Sequence, residues 1–282
     1  MNRAKRQEKV AFFILGFAAL LVVVPIILTI LYIVKSGFSA ISWEFISQSP
    51  RNGMTEGGIF PAIVGTVLLV IGTMVFSLPL GILSAIYLVE YAKDNAFTRL
   101  IKLSVVNLSG IPSIVYGMFG FTLFVVFLKF GTSILAGSLT LAIMSLPVMI
   151  TASKEALEAV PYSFREVSLS LGATRWQTIR YCVIPYAIPG ILTGTVLSLS
   201  RAAGETAPIL FTVAAFYLPR LPRSVFDQVM ALPYHLYVIS TQVPNMPMKI
   251  SFATGFVLIA LVFLMNLVSI ILRAHFRKKK QW

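Results

Sequence analysis

Cysteine and histidine are scarce in this chain of 282 residues. The one cysteine, Cys182, excludes a disulfide within the chain. The two histidines, His235 and His275, are far apart in the sequence, so a metal site that they share is not predicted. Neither the H-E-x-x-H pattern of a zinc site nor the G-x-x-x-x-G-K-[ST] pattern of a nucleotide-binding loop occurs. We therefore expect the chain to bind no metal or cofactor itself and to hold no ATP in such a loop.

Charged residues are also few, at 12% of the chain against 57% hydrophobic residues. A soluble domain carries about twice that charged fraction. The apolar residues come in blocks long enough to cross a bilayer as helix, which takes roughly 20 residues. The first block, Val10–Val34, exceeds the roughly 7–15 apolar residues of a signal peptide, so it predicts a retained transmembrane helix. These patterns predict an all-α membrane protein that crosses the membrane several times.

Six membrane-spanning helices are predicted, at Val10–Val34, Ile59–Val89, Leu103–Leu128, Thr132–Ser153, Tyr186–Tyr217 and Ile250–Leu272. Most of the 23 lysines and arginines then fall in the terminal segments and in the loops after the second and fourth helices. Because lysine and arginine favour the cytoplasmic side, both termini are predicted to be cytoplasmic. The net charge of +13 is explained by this orientation and by contact with anionic lipids, so no nucleic-acid partner is expected.

The cytoplasmic loop at residues 154–185 predicts two short helices, Tyr162–Leu171 and Arg175–Val183. Gly172 supplies a stop for the first helix, and Thr174 can cap the second. The apolar side chains of the loop are flanked by Arg165, Glu166, Arg175 and Arg180. An amphipathic hairpin on the lipid surface is one interpretation. Because the loop is compact and mixed in charge, a docking surface for a cytoplasmic protein is favoured.

The same loop carries a recognisable motif: Glu166–Val167–Ser168, three residues, Gly172, nine residues, then Cys182–Val183–Ile184–Pro185. This resembles the EAA loop of ABC importer permeases, E-A-A, three residues, G, nine residues, I-x-L-P. The chain departs from that pattern at Val167, Ser168, Cys182 and Ile184, where the substitutes are small or apolar. In the family, the loop forms coupling helices that sit in a cleft of the ATPase subunit. The resemblance assigns this coupling role to Arg165, Glu166, Leu171, Gly172, Ala173, Thr174, Arg175 and Pro185.

Two further stretches, Ser109–Gly120 (SGIPSIVYGMFG) and Ser200–Thr212 (SRAAGETAPILFT), are similar to the phosphate-specific permeases. The second stretch, together with DQVMALPYHLY nearer the C-terminus, is closer to their A-type subunit. The resemblance covers roughly residues 60–275. It implies the type I ABC importer permease fold, with residues 1–58 as the first helix and external loop, 59–275 as the transport domain and 276–282 as a basic cytoplasmic tail.

What the resemblance implies about function is specific. It describes a non-catalytic permease subunit that moves inorganic phosphate by alternating access across the cytoplasmic (inner) membrane of a prokaryote. The expected partners are a C-type permease paralogue in a heterodimer, two copies of a cytoplasmic ABC ATPase, an external phosphate-binding protein and membrane lipids. ATP and Mg are expected on the ATPase chain.

Arg201 and Glu205 are the charges that membrane burial makes expensive. Residues four apart share a helix face, and Ser198 lies on the same face. Counted from Tyr186, Arg201 lies about 22 Å along the predicted helix, in the middle of the bilayer. Each charge there costs at least about 2.5–3.5 kcal/mol. A neutralised structural pair is one explanation; the favoured one is a polar face on a substrate path, in which Glu205 weakens anion binding at Arg201 enough to allow release.

Ser113, in the irregular SGIPSIVYG stretch, is a second candidate pathway residue. Irregular backbone in a membrane lines a cavity or is buried in protein. Packing of small residues against a partner helix explains the stretch equally well.

Two competing functions remain open at this stage. One is a permease for another oxyanion, such as sulfate, molybdate or phosphonate. The other is a membrane-embedded enzyme acting on a lipid phosphate, but Ser198 is the nearest hydroxyl on the face of the charged pair, and no histidine stands near to activate it.

Overall fold

The computed structural model describes residues 2–278, so the predicted basic tail at 276–282 lies partly outside the described residues. The described helices are α1 (Asn2–Phe38), α2 (Trp43–Ser47), α3 (Phe60–Ile86), α4 (Ala96–Ser109), α5 (Ser113–Gly120), α6 (Ile134–Glu158), α7 (Tyr162–Ser170), α8 (Arg175–Thr178), α9 (Ile184–Gly204), α10 (Ala207–Thr212), α11 (Leu232–Thr241) and α12 (Met248–Lys278). Short π-helical stretches follow α3 at Tyr87–Tyr91, α5 at Phe121–Phe127 and α8 at Ile179–Val183. Two-residue strands β1 (Pro50–Arg51) and β2 (Glu56–Gly57) pair antiparallel after α2.

Membrane-spanning segments account for most of the described chain. Five are long and apolar enough to cross a bilayer: Gln7–Phe38, Phe60–Tyr91, Ile134–Glu158, Arg175–Gly204 and Met248–His275. Helices α4 and α5 supply a sixth if the two count as one bent span. The predicted all-α membrane fold is confirmed, while the third and fifth predicted spans differ in form.

The third predicted span, Leu103–Leu128, is not one straight helix. Helices α4 and α5, with the π-helical stretch after α5, meet at 106° across Gly110–Pro112. Pro112 has no backbone N–H to donate and forces the residue before it out of helical geometry. The hydroxyl of Tyr116 donates to the carbonyl of Leu108 at 2.7 Å, which satisfies an acceptor at the end of α4.

The fifth predicted span, Tyr186–Tyr217, is also corrected. Its helix starts earlier, because α8 runs through a π-helical stretch into α9, and it ends at Gly204. Helix α10 follows as a separate piece with Pro208 in its first turn. A proline at 208 would clash with the carbonyl of residue 204 in a continuous helix, so the chain breaks between them.

Helix α6 is the centre of the bundle and packs against both α3 and α9. Its side chains Leu141, Met149 and Leu157 are almost fully buried. Gly194 of α9 lies so close to α6 that a Cβ added to it would overlap the Cβ of Ala152. Small residues allow such close backbone approach, which matters in lipid because no hydrophobic force drives helices together there.

The segment between α10 and α12 folds back onto the bundle. Helix α11 packs against α3 and α12, and the backbone N–H of Leu232 donates to the hydroxyl of Thr66 at 2.8 Å. His235 of α11 is buried, and within residues 2–278 its Nδ1 has no hydrogen-bond partner. Burial lowers the pKa of His235 to about 4, so the side chain is neutral in the folded protein near neutral pH.

The contact between α6 and α9 can be tested at Gly194. We expect Gly194→Ala to lower the free energy of unfolding by about 1–3 kcal/mol, because an overpacked core has to shift backbone or rotamers. Ala152→Gly in the same chain should restore most of that loss. The measurement is thermal unfolding in detergent, with Gly16→Ala as control, because a Cβ at residue 16 meets nothing within 4 Å. Equal unfolding temperatures for Gly194→Ala and Gly16→Ala would contradict the tight contact.

His235 predicts a stability that depends on pH. Its folded pKa is about 4, below the unfolded value near 6.5, so the unfolded chain binds the extra proton. We expect stability to fall as the pH drops from about 6.5 towards 4, by up to about 3 kcal/mol. Unfolding midpoints at pH 7 and pH 5 should show a smaller acid loss for His235→Phe than for wild type. The exposed His275→Phe serves as control, and an unchanged acid loss in His235→Phe would sink the prediction.

Candidate functional site

The charged pair lies where α9 ends. Arg201 occupies the last turn of α9, and Glu205 is the first residue after it. The Nε of Arg201 donates to Oε1 of Glu205 at 3.2 Å, so the two residues form an ion pair. The Arg201 side chain is 38% exposed, and in the described part of the chain its bond to Glu205 uses Nε alone. The forked terminal nitrogens are therefore free to meet an anion.

Arg201 was expected in the middle of a helix, but the structure places it in the last turn of α9. Glu205 has extended backbone, with φ −74° and ψ 135°, so the helix stops one turn after Arg201. The last carbonyls of a helix have no intrahelical partner, and the helix dipole places partial negative charge there. The guanidinium is consequently stabilised by the helix end as well as by Glu205.

Ser198 is placed differently from Arg201. It is 2% exposed, and among residues 2–278 its hydroxyl has no hydrogen-bond partner. It lies one turn after Gly194, on the face through which α9 contacts α6. The structure thus brings Ser198 into the helix packing, one turn below the exposed guanidinium.

Helix α5 meets the charged region from another direction. A Cβ added to Gly117 would crowd the carbonyl of Ala207 and the Cα of Pro208, so α5 lies directly against α10. Tyr116 is buried beside this contact, within range of the charge on Arg201. Ser113 stands one turn earlier on the same face of α5 and is half-buried. The two polar stretches that the sequence singled out are therefore neighbours in space.

A small cavity borders Glu205. It is lined by Glu205 and Ala202, by Thr66 of α3 and by Pro233 of α11. Thr66 and α11 were not candidates from the sequence, because only the folding back of the segment after α10 brings them to the pair. Thr66 is an additional polar residue at this cavity, and its hydroxyl accepts from the backbone N–H of Leu232.

The loop at residues 154–185 folds as the sequence predicts. Gly172 ends α7 with φ +83°, a left-handed conformation that favours glycine. Thr174 and Gln177 form a reciprocal capping box at the start of α8, with bonds of 3.3 and 2.8 Å. Both local predictions are confirmed. Pro185 lies in the first turn of α9, directly after the π-helical stretch Ile179–Val183.

The outer surface of the loop is apolar with charged neighbours. Leu171 is 83% exposed, and Glu166 and Arg175 are exposed beside it. Ala173 and Leu171 line a groove of about 380 Å³ together with Phe164, Val167 and Cys182. Such a surface suits contact with another protein better than contact with water alone.

Arg165 does not lie on the surface of the loop, where it was expected. The sequence places it among the charges that flank the apolar surface, but it is only 9% exposed. Its guanidinium turns inward to Glu90, in the π-helical stretch after α3, at 2.6 Å. Glu90 was missed because a glutamate at the end of a span resembles an ordinary interfacial charge. No group of three His, Cys, Asp or Glu side chains suited to a metal occurs among the described residues.

Comparison with known proteins gives consistent matches. A family model described as "Binding-protein-dependent transport system inner membrane component" matches residues 77–282. "Probable ABC transporter permease protein YqgI" of Bacillus subtilis is 34% identical over 86% of this chain and 86% of its own length. "Phosphate transport system permease protein PstA" of Mycobacterium leprae is 36% identical over 84% of this chain and 78% of its own length.

A solved structure shows the same fold. It is the crystal structure of a bacterial alginate ABC transporter in complex with an alginate pentasaccharide-bound periplasmic protein. One of its chains matches with a TM-score of 0.66, over 90% of this chain and 92% of its own length, at 16% identity.

Proposed function

We propose that this chain, which belongs to the family of binding-protein-dependent transport system inner membrane components, is the permease subunit of an ATP-driven importer of inorganic phosphate. The phosphate permease among its relatives, similar over most of both chains, supports the substrate. The chain is a transport subunit and not an enzyme, as its relatives are ABC transporter permeases.

The observation that carries the proposal is the partly exposed guanidinium of Arg201, which bonds to Glu205 through Nε and not through its terminal nitrogens. A guanidinium is permanently charged and presents paired N–H donors that match phosphate oxygens. At 38% exposure, it can reach a substrate without leaving its place at the end of α9. Glu205, held at 3.2 Å, lowers the net positive field. A weaker field allows the anion to bind briefly and leave, which transport requires.

The breaks in the chain support a pathway through this region. Non-helical backbone at membrane depth is tolerated where it is buried in protein or lines a water-filled cavity, and transporters build their sites from interrupted helices. Here the breaks at Gly110–Pro112 and at Glu205–Thr206 are brought together by the contact of α5 with α10. The pathway therefore runs past Arg201 and Glu205, with Ser113 and the buried Ser198 as flanking hydroxyls.

The partners follow from the family and from the loop surface. Alternating access needs energy from a cytoplasmic ABC ATPase, present as two copies that bind ATP and Mg. Of the residues predicted to couple to the ATPase, those that are exposed are Glu166, Leu171, Gly172, Thr174 and Arg175, and they belong to the docking surface for that ATPase. A C-type paralogue completes the wall of the pathway as a heterodimer partner, and an external phosphate-binding protein delivers substrate. The assembly lies in the inner membrane of a prokaryote, with both termini of this chain in the cytoplasm.

The proposed anion site is tested by substituting its charges. We expect Arg201→Gln to reduce ATP-dependent phosphate uptake by about ten- to a hundred-fold, because a charge-assisted hydrogen bond contributes about 1.5–3 kcal/mol. Arg201→Lys should be impaired as well, since lysine lacks the fork. The measurement is uptake into liposomes that hold the chain with its partner subunits. Arg220→Gln, at an exposed arginine after α10, is the control.

The outcomes separate the elements of the proposal. Equal uptake by wild type and Arg201→Gln would make the charged pair structural. Normal uptake by both Arg201→Lys and Glu205→Gln would reject the tuned pair and leave a simple positive charge. Uptake of sulfate, molybdate or phosphonate in place of phosphate would keep the permease and change the substrate. A lipid-phosphate enzyme would act without any ATPase.

The docking surface is tested at Leu171. We expect Leu171→Asp to reduce the amount of ATPase subunit that co-purifies by at least about tenfold, because burying an unpaired carboxylate is costly. Val225→Asp is the matched control, because Val225 is also exposed and lies in the segment after α10. Full co-purification with Leu171→Asp would place the docking surface elsewhere.

A further inference from the structure

Arg165 is hydrogen-bonded to three residues in two other parts of the chain. Its Nε and Nη2 donate to the carboxylate of Glu90, at 2.6–3.3 Å. Its Nη1 donates to the carbonyl of Val160 at 2.9 Å, and Nη2 donates to the carbonyl of Leu157 at 3.0 Å. The first partner extends from α3, and the other two lie at the C-terminal end of α6. Four of the five N–H donors of a guanidinium can be satisfied in this way.

Stability alone is a weak reason for such a contact. Burying an ion pair costs several kcal/mol of desolvation per ion, and apolar side chains of similar volume are often as stable or more so. Within the described chain, Arg165 is also the one buried residue of α7, whose other side chains are exposed or half-buried. Helix α7 thus rests on the bundle through Arg165, with additional ring contact between Phe164 and Tyr186 at 5.1 Å.

The second helix of the loop is held differently. Ile179 and Val183 belong to a buried apolar cluster with Ala85, Leu157 and Val160, and α8 continues into α9 through the π-helical stretch. Movement of α8 can therefore reach α9 directly along the chain. Movement of α7 has no such continuous helix to follow into α3. The contact between Arg165 and Glu90 is a polar link that joins α7 to the end of α3.

We propose that Arg165 and Glu90 are positioning residues that transmit the movement of α7 to the ends of α3 and α6. The pair does not touch the ATPase; it makes the loop and the two spans move as one body when the ATPase moves the loop. The proposal rests on the proposed docking of an ATPase at α7 and α8. It adds a route by which docking changes the membrane helices, distinct from the exposed residues that make the docking contact.

The test compares transport with ATP hydrolysis in the complete transporter in liposomes. We expect Glu90→Gln and Arg165→Gln to retain the ATPase subunit but to move at least about fivefold less phosphate per ATP, the lower end of common coupling energies. Arg165→Lys, which keeps the charge without the fork, should be intermediate. The double variant should be no worse than the poorer single variant, because the residues act as a unit. Glu158→Gln, which breaks the exposed Lys154–Glu158 pair at 3.6 Å, should be unchanged.

Hydrogen exchange on the same complexes gives an outcome independent of the substrate. In wild type, ATP should change amide exchange in both Tyr162–Ser170 and Tyr87–Tyr91. In Glu90→Gln the change should persist in the first segment and disappear in the second. An unchanged phosphate-to-ATP ratio, an unchanged exchange response, or loss of the ATPase from Glu90→Gln would overturn the proposal. Absence of phosphate uptake by wild type would instead reject the substrate, and the exchange experiment would still decide the role of the pair.

Discussion

The close approach of α9 to α6, where Gly194 meets Ala152, holds the loop at residues 154–185 and the Arg201–Glu205 pair in a fixed relation. Helix α6 leads into the loop at residues 154–185, and α9 follows that loop and ends at Gly204, three residues after Arg201. Two helices whose backbones are this close have little freedom to shift separately, because close-packed interfaces resist continuous deformation. In the proposed mechanism, a displacement at the loop is carried along α9 to the charged pair.

The two arginine–glutamate pairs show how burial changes the use of the same chemistry. Arg165 is buried, and its bonds to Glu90 and to two carbonyls occupy four of its five N–H donors within the described residues. Arg201 bonds Glu205 through Nε and keeps an exposed fork at a helix end. The first arrangement suits a fixed link between elements, and the second suits transient binding of an anion.

Much of the architecture was predictable, because a bilayer constrains sequence strongly: every spanning helix needs a long apolar run. The local signals of the loop were equally readable, since the left-handed Gly172 and the capping Thr174 act on their own neighbours. The breaks in the third and fifth spans were only partly predictable. Pro112 and Pro208 indicate that each of these spans is interrupted. The bend of 106° between α4 and α5 depends on the helices against which these two pack, namely α6 and α10.

Without coordinates, the residues already indicate an all-α membrane protein, the Arg201–Glu205 pair and the local form of the loop at residues 154–185, because these depend on composition and on neighbours within a few residues. The packing of the helices, in contrast, turns Arg165 inward to Glu90, brings Tyr116 and Thr66 towards the charged pair and buries Ser198 in the α6–α9 contact. Each of these depends on contacts between residues distant in the chain. In these cases, helix packing and burial decide whether a side chain contacts a partner or a ligand, and its neighbours in the sequence do not.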